Sequence, residues 1–400
     1  MRSFFTLFAL SSLSVFALSA CSHTNSGSGV PPSKPAGGGL AAPEASRGVQ
    51  LGLKVEVEPG KEVVVCRELV LPGNAAMAVR KLEHASSPGT HHVHAYRSST
   101  PPDQVSPDVF ACGDLAGPLV YTAQKDADST RFHPGVGVEF ARGEVVRLEL
   151  HYLNTQTTTT EAELRLNLWY ADAPITAEAG SLFMGDNDLA IAAHGTATAR
   201  MHCEIPADIS ITSILPHVHS HGTGERIYVS GKGLDLPRLL VESKGYGDLE
   251  TRYFDDTPIQ IKAGQALDFE CDFHNDTEHG LVEGSSTTSA EMCMVLGSYY
   301  PRLPVEAEWC TLVGSGPVHE GKTTCQEALS CKASKSDDDE FEQESCGTDV
   351  CQGSSGAFDG VNSCGDSQCH EKCPGKHCSE CLAEKCASAL SACQAATCGP

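Results

Sequence analysis

Histidines are the side chains whose types and spacing in this sequence could do chemistry. His217, His219 and His221 occupy every second position, which places them on one face if this segment is a strand. Two imidazoles at that spacing can share a metal ion, because histidine is the commonest metal ligand in proteins. A run of hydrogen-bonded histidines without a metal has the same pattern, so the spacing alone leaves both interpretations open.

A second group of histidines lies earlier in the chain. His91 and His92 are adjacent, and neighbours on a strand point in opposite directions, so both can reach one ion only at a twist or a bulge. Alternation alone favours His92 together with His94. His151 ends the alternating run 144–153, where it belongs to the face opposite the apolar residues. We therefore expect His151 on the more hydrated face of its strand.

Short alternating runs bounded by Gly, Pro, Asn and Asp must position these histidines. Such runs are typical of strands, and the absence of helical periods between them favours antiparallel sandwiches or barrels. We predict an all-β body of two tandem antiparallel β-sandwich, jelly-roll-like domains at 49–173 and 174–312, joined near Asp172. The clearest runs are 51–58, 62–71, 144–153, 162–169 and 266–273.

The charge balance of the 400-residue chain limits its partners. There are 28 Lys and Arg residues against 52 Asp and Glu residues, a net charge of -24 at pH 7. Binding to nucleic acid or to an anionic membrane surface depends on clustered positive charge, so both are disfavoured. We expect no nucleic-acid partner.

The N-terminus has the composition of an export signal. Residues 1–21 combine an early Arg2 with an apolar stretch that is short for a membrane span, followed by small residues and Cys21. The end of this segment resembles the bacterial lipobox, which implies a lipoprotein signal peptide and lipidation of Cys21; an ordinary secretory signal is the alternative. Residues 22–48 are rich in Gly, Ser and Pro and are predicted to form a flexible tether. We expect an exported protein, periplasmic or at the cell surface, that is attached to the bacterial cell membrane or outer membrane by its lipid only.

The segment 313–400 differs in composition from the body. Twelve cysteines lie between Cys325 and Cys398, and large apolar residues are scarce. Export makes oxidation the expected state, so we predict six disulfides in an acidic, partly helical tail, with a cross-linked helical hairpin at 381–398. Metal capture by the Cys and His residues of 369–373 and 376–381 is the alternative.

Four segments resemble, in the same order, segments of the copper type II ascorbate-dependent monooxygenases, the family of peptidylglycine α-hydroxylating monooxygenase and dopamine β-monooxygenase. GTHHVHAY resembles the first histidine segment, and LELHYLN ends a stretch similar to the next one. LPHVHSHGTG resembles the HxHxxG segment, and GSSTTSAEMCMVLGSYYP resembles the family segment that ends in EMC. The four segments are 89–96, 133–154, 215–231 and 284–301.

The resemblance implies two coppers per chain. One would be held by His91, His92 and His151 and would pass on an electron. The other would be held by His217, His219 and Met292, which are also the implied catalytic residues, and its thioether favours Cu(I). The implied activity is hydroxylation of a substrate C–H bond with O₂, with ascorbate as the reductant.

The resemblance also implies three disulfides and bears on the substrate. The peptide-hydroxylating branch binds a terminal carboxylate with Arg, Asn and Tyr at positions that here hold Leu215, Met294 and Leu296. A peptide substrate is therefore disfavoured, and a small apolar or aromatic molecule, such as an amine, fits better. The implied disulfides are Cys66–Cys112, Cys203–Cys310 and Cys271–Cys293.

Two other interpretations remain open at this point. An exported lipoprotein that binds or buffers copper without catalysis would keep the same ligands. A structural cell-surface protein whose active part is the tail would need none of them.

Overall fold

The computed structural model of the chain describes residues 39–113, 117–254, 256–335, 340–369 and 378–399. The predicted signal peptide, Cys21 and most of the tether lie outside these residues. Within them the chain forms two β-sandwiches followed by a helical tail, which confirms the predicted fold class. None of the described helices has the length and apolar character needed to cross a membrane.

The first sandwich consists of two sheets that enclose one apolar core. Its outer sheet has the order β1-β10-β3-β8-β11, with β7 also paired to β3, and its inner sheet has the order β5-β2-β9-β4-β6. All pairs are antiparallel except β11 with β8. The strands are β1 (Gly48–Val57), β2 (Glu62–Val70), β3 (Met77–Ser86), β4 (Thr90–Ser98), β5 (Phe110–Ala111), β6 (Leu119–Ala123), β7 (Ala127–Ser129), β8 (Val136–Phe140), β9 (Val145–Leu153), β10 (Thr160–Tyr170) and β11 (Ala177–Glu178).

The second sandwich repeats this plan. Its inner sheet has the order β12-β22-β15-β18, with β19 paired to β15, and its outer sheet has the order β17-β16-β20-β14-β23, while β13 pairs with β21. The strands and one short helix are β12 (Gly180–Gly185), β13 (Ala190–Ile191), β14 (Thr196–Ile205), β15 (Ile209–Val218), β16 (Gly222–Gly231), β17 (Arg238–Ser243), β18 (Arg252–Tyr253), β19 (Ile259–Ile261), β20 (Gln265–His274), β21 (Leu281–Val282), β22 (Cys293–Tyr300), β23 (Gly316–Pro317) and α1 (Val305–Glu308).

The two inner sheets face each other through a small apolar cluster. Tyr96 and Leu119 of the first sandwich pack there against Leu215 and Leu296 of the second, and all four side chains are almost fully buried. Strand β9 illustrates how this arrangement is built. Its residues 146, 148, 150 and 152 enter the first core as predicted, whereas the opposite face of the strand turns toward the second sandwich.

The prediction of a hydrated His151 is wrong for this reason. His151 is 0% exposed, because the second sandwich covers the face of β9 on which it lies. Alternation correctly separates the two faces of the strand. It does not reveal that another domain covers the second one.

The body contains the three disulfides that the resemblance implies. Cys66–Cys112 closes the edge of the first inner sheet, Cys203–Cys310 joins β14 to the segment after α1, and Cys271–Cys293 joins β20 to β22. Disulfides of this number, together with those of the tail, indicate an extracellular or periplasmic compartment.

The tail folds around a small core of its own that includes Val350 and Phe358. The predicted hairpin cross-linked to itself is wrong, because each of its four cysteines pairs with an upstream cysteine instead. The pairs are Cys325–Cys393, Cys351–Cys398, Cys364–Cys386 and Cys369–Cys381, and Cys331–Cys346 is a further tail disulfide. The helices are α2 (Cys325–Ser334), α3 (Glu340–Thr348), α4 (Gln352–Cys369), α5 (Cys378–Lys385) and α6 (Ala387–Ala395).

The disulfides also bear on the alternative of metal capture by the tail. Cys369 and Cys381 are bonded to each other, and Cys378 is disulfide-bonded as well. A cysteine in a disulfide has no thiolate to offer a metal ion. The alternative is therefore wrong for these three residues, and Cys373 lies outside the described residues.

Candidate metal centre

A β-bulge brings His91 and His92 to the same side of the sheet. In the pairing of β4 with β9, Thr90 lies opposite Tyr152 and His92 lies opposite His151, so that His91 is an extra residue. The bulge meets the condition under which adjacent histidines can reach one ion. The ring centroids of His91 and His92 lie 5.0 Å and 4.8 Å from that of His151.

The second sandwich supplies two further histidines to the same place. His217 lies on the face of β15 that also carries Leu215, so its side chain turns toward the first sandwich. His219 follows the end of that strand. The ring centroid of His91 lies 5.4 Å from that of His217 and 5.3 Å from that of His219. We call His91, His92, His151, His217 and His219 the histidine cluster.

The histidine cluster contains two overlapping groups with the geometry of metal sites. In one group, His91, His92 and His151 place ring nitrogens within 4.8 Å of one another; in the other, His91, His217 and His219 do so. From the sequence, the two ligand sets are expected to form separate pockets. In the structure they adjoin, and His91 belongs to both groups.

Each member of the cluster has a buried ring nitrogen without a hydrogen-bond partner among the described residues. A buried polar atom of this kind is costly unless something binds it. Burial, followed by the neighbouring His151, lowers the pKa of His91 to about 3, and burial lowers that of His219 to about 4. Neutral imidazoles with a free nitrogen are what a metal requires. The atoms are His91 Nε2, His92 Nδ1, His151 Nδ1, His217 Nδ1 and His219 Nε2.

Hydrogen bonds to the other ring nitrogen fix the orientation of two members. His151 Nε2 donates to Glu62 Oε1 at 2.8 Å, which leaves Nδ1 as the free atom. His219 Nδ1 lies 3.3 Å from the carbonyl oxygen of Ala290, which can only accept, so Nε2 is the free atom. A ligand histidine usually donates its second N–H to a carboxylate or a carbonyl in this way.

Glu291 organises the segment that contains Met292. Its carboxylate accepts from the backbone N–H of His219 at 2.9 Å and from that of His221 at 2.6 Å. Strand β15 pairs His217 with Met294 and Val218 with Cys293. Met292 directly precedes Cys293, the residue of β22 that pairs with the last residue of β15.

His221 does not join the cluster, so the prediction that three histidines share one strand face is wrong. Strand β15 ends at Val218, and the backbone turns where the N–H of Gly222 donates to the carbonyl oxygen of His219. His221 Nδ1 instead lies 3.6 Å from an oxygen of Asp276.

His94 extends the cluster along the inner sheet. Its ring centroid lies 4.3 Å from that of His92, and both side chains, with Glu149, place ligand atoms within 4.8 Å of one another. Burial raises the pKa of Glu149 to about 7 and lowers that of His94 to about 3. His92 and His94 therefore lie together, as alternation predicts, and the bulge adds His91 to the same side of the sheet.

His91 is the half-buried member of the cluster and marks its accessible side. The ring of Tyr246, which is 43% exposed, lies 6.2 Å from the ring of His91. An approaching molecule therefore meets an aromatic ring beside the histidines.

Three carboxylates next to the histidines were not identified from the sequence. Glu149 precedes His151 by two residues on one strand face, which is a signal that could have been used. Glu291 is the first residue of the EMC segment. Glu62 offers no such signal, because only the pairing of β2 with β9 brings it to His151.

Comparisons with known proteins give a family match over the second sandwich. Residues 177–320 match the sequence model described as "Copper type II ascorbate-dependent monooxygenase, C-terminal domain". Among solved structures, the chain is similar to the major capsid protein P2 from bacteriophage PM2, with 10% identity, a TM-score of 0.31 and coverage of 63% of this chain and 97% of that one. A structural likeness at that score carries no argument about function. The chain carries a C-terminal domain of the copper type II ascorbate-dependent monooxygenase family.

Proposed function

We propose that this protein is a copper-dependent monooxygenase that hydroxylates a C–H bond of a small organic substrate, using O₂ and electrons from ascorbate. The observation that carries the proposal is the convergence of five unpartnered imidazole nitrogens from two sandwiches. The family match over residues 177–320 supports it.

Two sets of donors would hold the metal. We assign His91, His92 and His151 to one copper and His217, His219 and Met292 to the other. Bound copper would supply one-electron redox chemistry and reactivity toward O₂, and a thioether in the second set favours Cu(I). Because ring nitrogens of His91, His217 and His219 lie within 4.8 Å of one another, the two sets are immediate neighbours.

The surrounding residues hold the imidazoles in place and limit water. Glu62 keeps the proton of His151 on Nε2, and the carbonyl oxygen of Ala290 keeps that of His219 on Nδ1. Four of the five histidines are buried, which keeps bulk water away from the free nitrogens. A preorganised site of this kind does not have to reorganise when it binds a metal.

The interface between the inner sheets supports an apolar substrate. By the sequence resemblance, Leu215, Met294 and Leu296 occupy the positions with which the peptide-hydroxylating branch binds a terminal carboxylate; here they pack with Tyr96 and Phe183. The side chains of Leu215, Met294 and Leu296 have no N–H or O–H group with which to bind a carboxylate. The exposed ring of Tyr246 beside His91 is suited to an aromatic or apolar molecule.

Export and lipid attachment through Cys21 form part of the proposal and rest on the sequence alone. The disulfides support an oxidising compartment. Mass spectrometry of the protein from a membrane fraction tests the attachment, since a lipidated Cys21 would be the N-terminal residue.

The enzymatic proposal is tested by metal analysis and oxygen uptake. We expect about two coppers per chain and ascorbate-dependent O₂ uptake with a hydroxylated product from a panel of small amines and phenols. His91→Ala should lose one copper and the coupled O₂ uptake, whereas His279→Ala, a change at an exposed histidine, should retain two coppers and the uptake. Two bound coppers without coupled O₂ uptake would instead establish the copper-buffering alternative.

A further inference from the structure

A second cluster of metal-ligating side chains lies where the tail meets the second sandwich. Asp188, His319 and Asp359 place ligand atoms within 4.8 Å of one another. Asp188 comes from the loop between β12 and β13, His319 follows β23, and Asp359 belongs to α4 of the tail. None of the three is in the histidine cluster.

The imidazole of His319 is directed into this cluster without a hydrogen bond. His319 is 8% exposed, and its Nε2 lies 3.6 Å from Asp188 Oδ2 but has no hydrogen-bond partner among the described residues. Asp359 Oδ1 is likewise buried and unpartnered. These two buried atoms come from different elements, and their residues place ligand atoms within 4.8 Å of each other and of Asp188.

The cluster also has more negative charge than its described surroundings neutralise. Asp186 lies beside it and accepts from the backbone N–H of Asp188 at 2.9 Å. Burial raises the pKa of Asp186 to about 7, and burial together with Asp188 raises that of Asp359 to about 7. Arg200, which lines the adjoining cavity, is already paired with Glu270 and Glu320.

We propose that Asp188, His319 and Asp359 bind one divalent metal ion that fastens the cysteine-rich tail to the second sandwich. Carboxylates with a single imidazole suit Mn²⁺ or Zn²⁺ and lack the sulfur that Cu(I) prefers. A cavity of about 260 Å³, lined by Asp186, Asp188 and His319, leaves room for water ligands. The proposal does not depend on the copper function.

A metal here would add to the contacts that already join the tail to the second sandwich. Phe341 of α3 packs against Gly280, where an added Cβ would collide with its ring. Arg200 binds Glu320 at 3.2 Å at the start of the tail. The described disulfides join body to body or tail to tail, so an ion bound by Asp188 and Asp359 would be a direct link between the two.

The first test measures Mn²⁺ binding to the exported protein. Binding is detected as a decrease in the electron paramagnetic resonance signal of free Mn²⁺. Mn²⁺ is the weakest binder among the first-row divalent metals at histidine sites, which limits its uptake by the histidine cluster. Wild type should bind about one Mn²⁺ per chain, and Asp188→Asn and Asp359→Asn should lose it. Asp208→Asn, at an exposed carboxylate paired with Lys262, should keep it. Equal Mn²⁺ binding by all four proteins would overturn the proposal.

Thermal unfolding supplies a second test. The direction in which Asp359→Asn shifts the unfolding temperature distinguishes a metal ligand from a residue with an ordinary structural role. In EDTA, Asp359→Asn should unfold at the same temperature as wild type or higher, because it removes a buried charge. In excess Mn²⁺, wild type should gain several degrees and the variant should not. If Asp359→Asn lowers the midpoint equally in EDTA and in Mn²⁺, the carboxyls hold the tail through a shared proton, and the metal proposal is wrong.

Discussion

His151 Nε2 donates to Glu62 Oε1 at 2.8 Å, and the same carboxylate oxygen accepts from Thr287 Oγ1 at 2.7 Å. One side chain of the first sandwich therefore orients a buried histidine and binds the loop of the second sandwich that precedes Met292. Although burial raises the pKa of Glu62, the hydrogen bonds from Thr287 and His151 lower it overall, so the group is ionised at neutral pH.

Glu62→Gln should weaken copper binding about 10- to 100-fold, because a charged acceptor no longer holds the second nitrogen of His151. Competition with a chelator of known affinity measures this change. Glu161→Gln removes an exposed carboxylate that pairs with Lys54, and it should have no effect on copper. Unchanged affinity in Glu62→Gln would remove Glu62 from the metal site.

Met292→Leu keeps the volume of the side chain and removes its sulfur. We expect loss of about one of the two coppers, of the copper–sulfur contribution in X-ray absorption, and of turnover. Met294→Leu is the matched control, since Met294 packs in the apolar cluster between the inner sheets. If Met294→Leu lost the copper and the sulfur contribution while Met292→Leu kept them, Met294 would be the sulfur ligand.

The Cys271–Cys293 disulfide holds the strand that begins next to Met292. A disulfide lowers the chain entropy of the unfolded state, and a longer loop gives a larger effect. Replacing Cys271 and Cys293 by Ala should therefore lower the free energy of unfolding by about 3 kcal/mol, and replacing Cys66 and Cys112 by Ala should lower it by about 4 kcal/mol. Only the first double variant should also weaken Cu(I) binding. Similar Cu(I) affinities in the two variants would show that the disulfide does not position Met292.

Glu225 should make stability depend on pH. It is fully buried with both carboxylate oxygens unpartnered, and burial raises its pKa well above 4.5. Folding therefore takes up a proton. Stability is greatest below the unfolded pKa and decreases as pH rises toward the folded pKa, by up to about 1.4 kcal/mol per pH unit.

Glu225→Gln should abolish this dependence and unfold at higher urea concentration than wild type at pH 8, with a smaller difference at pH 5. Urea titrations of both proteins in EDTA measure it, because the remaining titrating groups are common to the two. Glu58→Gln, at an exposed position, should follow wild type. Parallel pH curves for Glu225→Gln and wild type would show that Glu225 does not titrate as described.

Local patterns predicted the strands well, because alternation directly reflects which residues enter a core. The run 144–153 illustrates this, since β9 spans Val145–Leu153 with the expected faces. The same pattern could not predict that His151 is buried, because a distant part of the chain covers it. Glu62 was missed for the same reason, since its partners His151 and Thr287 are far from it in sequence.

The candidate site depended on information that is not local. Alternation separates His91 from His92, and only the cross-strand register reveals the bulge that reunites them. The period of two continues to His221, past the end of the strand, so spacing alone could not separate His221 from His217. In the tail, twelve cysteines permit too many pairings for spacing to select one, and the hairpin prediction failed there.

His91, the extra residue in β4, contributes to the histidine cluster but is not required for the pairing of β4 with β9. If His91 were deleted, Thr90 and His92 would be consecutive residues opposite Tyr152 and His151. The pairing of β4 with β9 would then be regular, and all remaining side chains of β4 would stay on their present faces of the sheet. A three-nucleotide deletion should therefore yield a folded protein that lacks the histidine common to both groups. Deleting or inserting this codon would therefore change metal binding without changing whether the protein folds.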